Sequence, residues 1–376
     1  MPYYIFDKKT PATALTMTGS TKTFTLDETA KYTALLLRFS FTADVSQIDA
    51  LRDHLIDWIT SITIVGDDDK YVVNNTGREL AALARRRLKK ELEAYINTLD
   101  NSVNTFELPI LFGRYIGDPE YYLDANLFNK LEINIANADS DTGNYFDAGT
   151  VELHELQLKG NPPSAKGCFR SKQVKSWTPG SATEATTEEL PDKNPIECIM
   201  ISAVPTYTAR ITALTSEMAA LIDKIKLTYR GGDVVVFEDD WEVLARRNAE
   251  QYGMVTVKGH ITWGAAADKV DSHLGYVVAA KGNATTSAAA AATDVVVDVG
   301  TVQKLVLSQA VAADLASWWE ATGLAYMDAV FFTFDIPEDL SNLYQPTENK
   351  KGEIKVTAGS VSGVLELSVV EIVRTF

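Results

Sequence analysis

One unit of this chain occurs twice. Ile62 to Val73 (ITIVGDDDKYVV) aligns without gaps on Ile225 to Val236 (IKLTYRGGDVVV), 163 residues further on. Each copy reads as a strand, a polar turn and a second strand. Such a repeat narrows the folds open to the chain, because two copies of one supersecondary unit call for two like modules rather than a single large core. The surroundings repeat too. Leu83-Ala84-Arg85-Arg86 and Leu244-Ala245-Arg246-Arg247 follow their hairpins at an offset of 161 residues, and apolar stripes (Leu55, Trp58, Ile59 and Met218, Leu221, Ile222) precede them. Val151-Glu152-Leu153 and Leu365-Glu366-Leu367 form a matching pair of closing strands, now 214 residues apart. The growth of the offset places about fifty extra residues in the second copy, within Asn248 to Ala325.

A length of 376 residues suits two domains. Lys159-Gly160-Asn161-Pro162-Pro163-Ser164 ends the first, since proline cannot donate to a ladder and glycine breaks regularity. The expected modules are residues 1–160 and 161–376, the second with an inserted region at about 248–325. Period-two alternation marks strands at Thr21 to Leu26, Leu35 to Phe41, Leu131 to Ile135, Thr150 to Leu158, Lys224 to Tyr229 and Gly363 to Ile372. Helical spacing is expected at Val45 to Ile59, Gly77 to Leu99, Asp239 to Gln251 and Val311 to Thr322. In the second of these, Arg85, Arg86, Lys89 and Lys90 fall away from the apolar stripe and read as a solvated face, or one that pairs with acidic neighbouring subunits. Within the insertion, Met254 to Ile261, Tyr276 to Ala280 and Val295 to Val299 read as short strands, and Gly282 to Thr293 as an exposed tip.

Composition removes several functions. With 35 Lys and Arg against 51 Asp and Glu, a net charge of −16 disfavours a general role on nucleic acid or anionic lipid. Two cysteines cannot build a disulfide framework, and both read as thiols. The start MPYYIFDKKT lacks the basic and apolar segments of a secretory signal, and no apolar stretch is long enough for a spanning helix.

Chemistry-bearing motifs are equally sparse. Neither phosphate-binding glycine pattern occurs, and His54, His154, His260 and His273 are too scattered for a zinc site. Asp141-Thr142-Gly143 matches the aspartic protease triplet, but the equivalent turn of the second module is Ala358-Gly359-Ser360, so the second carboxylate is missing. Asp139, Asp141 and Asp147 make a weak calcium candidate without the terminal glutamate of an EF-hand; a solvated turn fits them better. Glu132, Glu152 and Glu366 lie on expected strands and keep a glycoside hydrolase open as a minority reading. Trp318-Trp319 reads as packing. No catalytic residue, cofactor site or metal site is assigned, and the chain is expected not to be an enzyme.

Two tandem β modules, each with a helix after its hairpin, together with the strand run Leu108 to Tyr115 and the segments Leu123 to Ala125 and Leu131 to Ile135, resemble the double jelly-roll major capsid proteins of tailless icosahedral viruses. The resemblance implies a mainly β fold of two tandem eight-stranded antiparallel jelly-roll sandwiches with short flanking helices. It also implies homotrimers of pseudo-hexameric outline that contact one another in a virion shell assembled in the host cytoplasm. Penton or minor capsid proteins are then partners, and in several such viruses a membrane lies beneath the shell. On that reading the insertion is a tower. A phage appendage or carbohydrate-binding sandwich is the alternative.

Overall fold

The computed structural model describes residues 3–8, 10–16, 19–43, 51–52, 55–90, 96–97, 103–137, 146–205, 221–263, 269–271, 274–285, 293–296, 306–309, 315–334, 340–361 and 363–374. Alternation sets the strands. In Leu131–Asn137 the side chains of Leu131, Ile133 and Ile135 are fully buried while Glu132, Asn134 and Ala136 point away from the core.

The first module has eight principal strands: β1 (Tyr3–Lys8), β2 (Thr21–Thr25), β3 (Lys31–Ala43), β4 (Ile59–Gly66), β5 (Lys70–Asn75), β6 (Val103–Leu111), β7 (Leu131–Asn137) and β8 (Phe146–Lys159). They form two antiparallel sheets with spatial orders β1-β8-β3-β6 and β2-β7-β4-β5. The second module has β9 (Cys168–Trp177), β10 (Ala185–Glu189), β11 (Ile196–Pro205), β12 (Ile222–Tyr229), β13 (Val234–Asp240), β14 (Ala329–Thr333), β15 (Glu353–Ala358) and β16 (Gly363–Val373). Its sheets run β9-β16-β11-β14 and β10-β15-β12-β13. Counted within each module, both show one permutation: first, eighth, third, sixth on one sheet and second, seventh, fourth, fifth on the other.

Each pair of sheets closes on an apolar core. Leu37, Phe39, Ile64, Ile133 and Leu153 contribute to the first, and Ile201, Leu227, Val356, Leu365 and Leu367 to the second. A ladder joins the two sandwiches. Parallel pairing of β5 with β9, Val73 opposite Ser171 and Asn74 opposite Lys172, makes a continuous sheet across the boundary.

A helix follows the fifth strand of each module: α1 (Gly77–Leu88) after β5 and α2 (Trp241–Tyr252) after β13. α1 starts with a capping box, in which Thr76 Oγ1 accepts from the Glu79 amide at 3.3 Å and Glu79 accepts from the Thr76 amide at 2.9 Å. It ends at Leu88, short of the expected Leu99, because Lys89 turns into the left-handed region and closes the last turn through its amide to the Arg85 carbonyl. A lysine does there what a glycine usually does, so composition gave no stop signal.

Three further expectations are corrected. The described part of Val311 to Thr322, residues 315–322, is not helical; Leu315–Tyr326 is a strand paired on both sides, with Val255–Trp263 and with Leu274–Thr285. Its alanine-rich, helix-compatible sequence is overridden by two waiting ladders, and Trp318-Trp319 therefore stands on a strand. Of Val45 to Ile59, only a 3-10 turn at Leu55–Trp58 is helical among the described residues, and Leu51–Arg52 is a short strand. Asn248 belongs to α2 rather than to the insertion, whose strands begin at Val255. The strand Leu274–Thr285 carries Gly282 to Thr285 into the sheet, while 286–292 lie outside the described residues.

The hairpin repeat is real, with one adjustment. β4 and β12 superpose at the expected offset, but β12 and β13 are joined by Arg230 to Asp233 where β4 and β5 are joined by Asp67 to Asp69. The longer turn shifts the second strand by one position, so Val73 corresponds to Phe237. Both hairpins keep a bulge at the same place, after Ile64 and after Leu227.

Candidate functional site

A group of deeply buried polar side chains lies between the modules: Glu79, Arg86, Glu197 and Ser368 are each 1% exposed. β16 is buried on both faces: Leu365, Leu367 and Val369 face the second core, while Glu366 and Ser368 face the other way, toward α1 and the first module. α1 divides its own face accordingly. Leu80, Ala81, Ala82 and Leu83 join the first core, and its charged residues meet the outer face of the β9-β16-β11-β14 sheet.

Glu79 joins the modules. Its carboxylate accepts from Ser368 Oγ at 2.5 Å, Asn75 Nδ2 at 3.1 Å and Gln173 Nε2 at 3.4 Å. Burial raises the affinity of this carboxyl for its proton, and these donors oppose the rise. Glu366 accepts from Ser202 Oγ at 3.1 Å and is pushed up to about 7, by burial first and by the Glu79 charge second.

Two turns further along α1, Arg86 and Glu197 form a bidentate pair at 3.1 and 2.5 Å with side chains 1% and 2% exposed. The Arg86 guanidinium also lies over the rings of Tyr252 and Phe331, at 5.3 and 5.5 Å. Arg87 reaches Glu197 at 3.5 Å, donates to the Gly113 carbonyl at 3.1 Å and sits 3.8 Å above the ring of Phe169. Burial works to raise the Glu197 carboxyl, but Arg86 and Arg87 hold it below its ordinary value. Arg85 donates to the carbonyls of Gly253 and Met254 at 3.3 Å. The basic run is therefore not solvated through Arg85 to Arg87: a charged helix face was expected outside, and the second module covers it.

Arg78 holds the base of the insertion. It lies 3.6 Å from Asp57 and 3.8 Å from Asp328, and donates to the Met327 carbonyl at 3.4 Å. Met327 and Asp328 form the two-residue turn between Leu315–Tyr326 and β14, both with positive φ, a geometry that usually selects Asn-Gly. Contacts from α1 help hold these larger residues there. Asn248 imitates a strand neighbour for β14, donating to the Phe331 carbonyl at 2.8 Å and accepting from its amide at 2.7 Å.

The residues singled out for chemistry are not brought together. Glu132 is on β7 and Glu366 on β16, separated in one sheet by β4, β5 and β9, about 19 Å at the usual strand spacing. A glycosidase pair needs roughly 5 to 9.5 Å. Glu152 is in the other sheet of the first module, its side chain 3.4 Å from His154, which stacks on Phe6. Asp139 and Asp141 lie outside the described residues, as does Asp141-Thr142-Gly143, and of Asp147 only the place on β8 is described. Among the described residues no group of three His, Cys, Asp or Glu could hold a metal ion. Cys168 and Cys198 are buried thiols, as expected.

The arrangement locks two sandwiches into one body. Glu197, Gln173, Ser202, Asp328 and Ser368 carry much of that lock and escaped the sequence reading. The available signal was polar residues set at 366 and 368 within the otherwise apolar stretch Val364 to Val370.

The decisive feature for classification is the twice-repeated strand permutation, eighth beside first and third on one sheet, seventh beside second and fourth on the other. The fold is a double jelly roll. No protein-family model and no curated sequence matches this double jelly roll. It is similar in structure to the STIV MCP, with a TM-score of 0.59 and 8% identity over 99% of this chain and 97% of that one. A second similar structure is the major capsid protein P2 from bacteriophage PM2, at 0.52 and 12% over 98% and 97%. A third is PBCV-1 VP54, fitted into a reconstruction of the virophage Sputnik, at 0.57 and 8% over 99% and 94%. The double jelly roll thus spans nearly the whole of each chain, and identity this low carries the fold.

Proposed function

We propose that the chain is the major capsid subunit of an icosahedral virus, a non-enzymatic shell protein that acts by self-association. The observation that carries this reading is the repetition of one jelly roll within one rigidly joined body. Two like sandwiches in a chain give a trimer six similar outer faces, so near-equivalent contacts can tile a closed shell from one gene product. Full-length likeness to proteins described as capsid subunits supports it. The buried Arg86–Glu197 and Glu79–Ser368 contacts suit a subunit whose two halves must keep a fixed angle.

In this reading residues 1–160 and 161–376 are the two modules, and the insertion between α2 and β14 is a tower. The homotrimer contacts other trimers in the virion, and penton or minor capsid proteins close the shell. A membrane beneath it is the remaining proposed partner. Negative-stain electron microscopy of the purified chain tests the proposal: particles of six-lobed, hexagonal outline are expected. Monomeric particles at micromolar concentration contradict it.

A further inference from the structure

The two surfaces that meet inside the chain recur, uncovered, at its outer ends. Within the chain the fifth strand of the first module, β5, lies parallel to the first strand of the second, β9. The equivalents of those strands are β13 and β1. Pairing with the closing strands fixes the correspondence on that side: Tyr3 to Phe6 on β1 occupy the positions of Cys168 to Ser171 on β9. On the other side, the shared bulge makes Val72 the counterpart of Val236 and Tyr71 that of Val235.

Exposure differs sharply between the equivalents. Cys168 and Phe169 are each 3% exposed, whereas Tyr3 and Tyr4 are 58% and 53% exposed. Val72 is fully buried, whereas its counterpart Val236 is 44% exposed; at the next position Tyr71 and Val235 are both exposed, so the contrast on this strand lies at Val236. Both free strands are sheet edges. A long apolar edge left open invites strand pairing, and soluble proteins usually blunt it with lysine, proline or a cover. Beside β1 there is an open groove of about 300 Å³, lined by Tyr3, Tyr4, Gly117, Pro119 and Leu158.

We infer that β13 of one copy pairs in parallel with β1 of a second copy, repeating between chains the β5 to β9 contact made within each chain. This deepens the trimeric reading above and rests on it. Carried over from the two positions paired inside the chain, the register sets Phe237 opposite Phe6 and Glu238 opposite Asp7, with Val236 and Ile5 just before them. Its one unfavourable pair is Glu238 beside Asp7, and Glu238 is already held by Lys226 at 2.7 Å. The contact is head to tail, so its closure after three copies makes a ring of six sandwiches joined by six similar seams.

The test uses the full chain with Asp7→Cys and Glu238→Cys together, oxidised briefly and run without reductant. These positions are the counterparts of Lys172 and Asn74, which are paired within the chain, so they fall within disulfide reach, and the native Cys168 and Cys198 are buried. Covalent dimers and trimers are expected, with none from a control pairing Asp7→Cys with Val361→Cys, an exposed site elsewhere on the chain. As a second variant, Val236→Arg should convert trimers to folded monomers with an unchanged circular dichroism spectrum. A trimeric parent that gives no cross-link, or a Val236→Arg chain that stays trimeric, overturns the inferred seam and leaves the shell reading standing. A monomeric parent removes both.

Discussion

α1 and α2 follow equivalent strands and carry the same Leu-Ala-Arg-Arg sequence, yet their arginines live in opposite environments. Arg86 is 1% exposed and bound to Glu197, with Tyr252 and Phe331 beneath its guanidinium. Arg246, on α2, has a side chain 53% exposed and is held only by its own helix through Glu242 at 2.6 Å and by Tyr276 at 2.9 Å. Arg247 is exposed and rests over Phe237. Helix geometry cannot account for the difference, because the apolar faces dock alike: Leu83 and Leu244 are both buried. What differs is the neighbour. A second module lies against α1, and among the described residues no module lies correspondingly against α2. The same contrast separates β5 from β13, so one flank of the repeated unit is satisfied inside the chain and the other is left for a partner.

The contrast can be broken first at Glu197. Replacing it with alanine leaves Arg86 and Arg87 without their shared counter-charge in a dry junction, and should cost about 3 to 5 kcal/mol in chemical denaturation. Glu242→Ala, which frees Arg246 of α2 at the surface, should cost less than about 0.5 kcal/mol. Equal losses would mean that the two helices are not distinguished by their neighbours.

A smaller effect comes from pH. Glu366 rises from an ordinary 4.5 to about 7 in the folded protein, because of burial and then Glu79. A carboxyl raised in this way binds its proton more tightly when folded, so its contribution is full below about 4.5 and is lost as pH climbs through about 7. The loss is at most about 3 kcal/mol. Glu366→Gln should flatten the fall in melting temperature across that window, and an unchanged slope would place the titration elsewhere. Smallest is the helix start. Thr76→Ala should destabilise α1 by about 1 kcal/mol, whereas Asp240→Ala, at an N-cap without a side-chain hydrogen bond, should be close to neutral. Thermal melts of the two variants compare them directly.

Much of this architecture was legible in the letters. The repeated hairpin, the helix after it and the matching closing strands at Val151 and Leu365 are local patterns, and local patterns survive in sequence. The register slip after Ile225 was not, because a one-residue difference between Asp67-Asp68-Asp69 and Arg230 to Asp233 is invisible without the ladder. Leu315–Tyr326 was misread because two flanking strands decide its conformation. The junction was hidden for a related reason: Arg85 to Arg87 carry the composition of a solvated face, and only the position of Glu197 and of the Gly253 and Met254 carbonyls reveals that they are buried. The resemblance to shell proteins rested on the order of elements, and that order is what the strand permutation reproduces.

The most direct measurement is the mass of the native protein at equilibrium, by sedimentation at micromolar concentration. Two unequal flanks, one filled within the chain and one open, predict a single species of three times 41.2 kDa that persists on dilution. A species of 41.2 kDa under the same conditions would contradict the account.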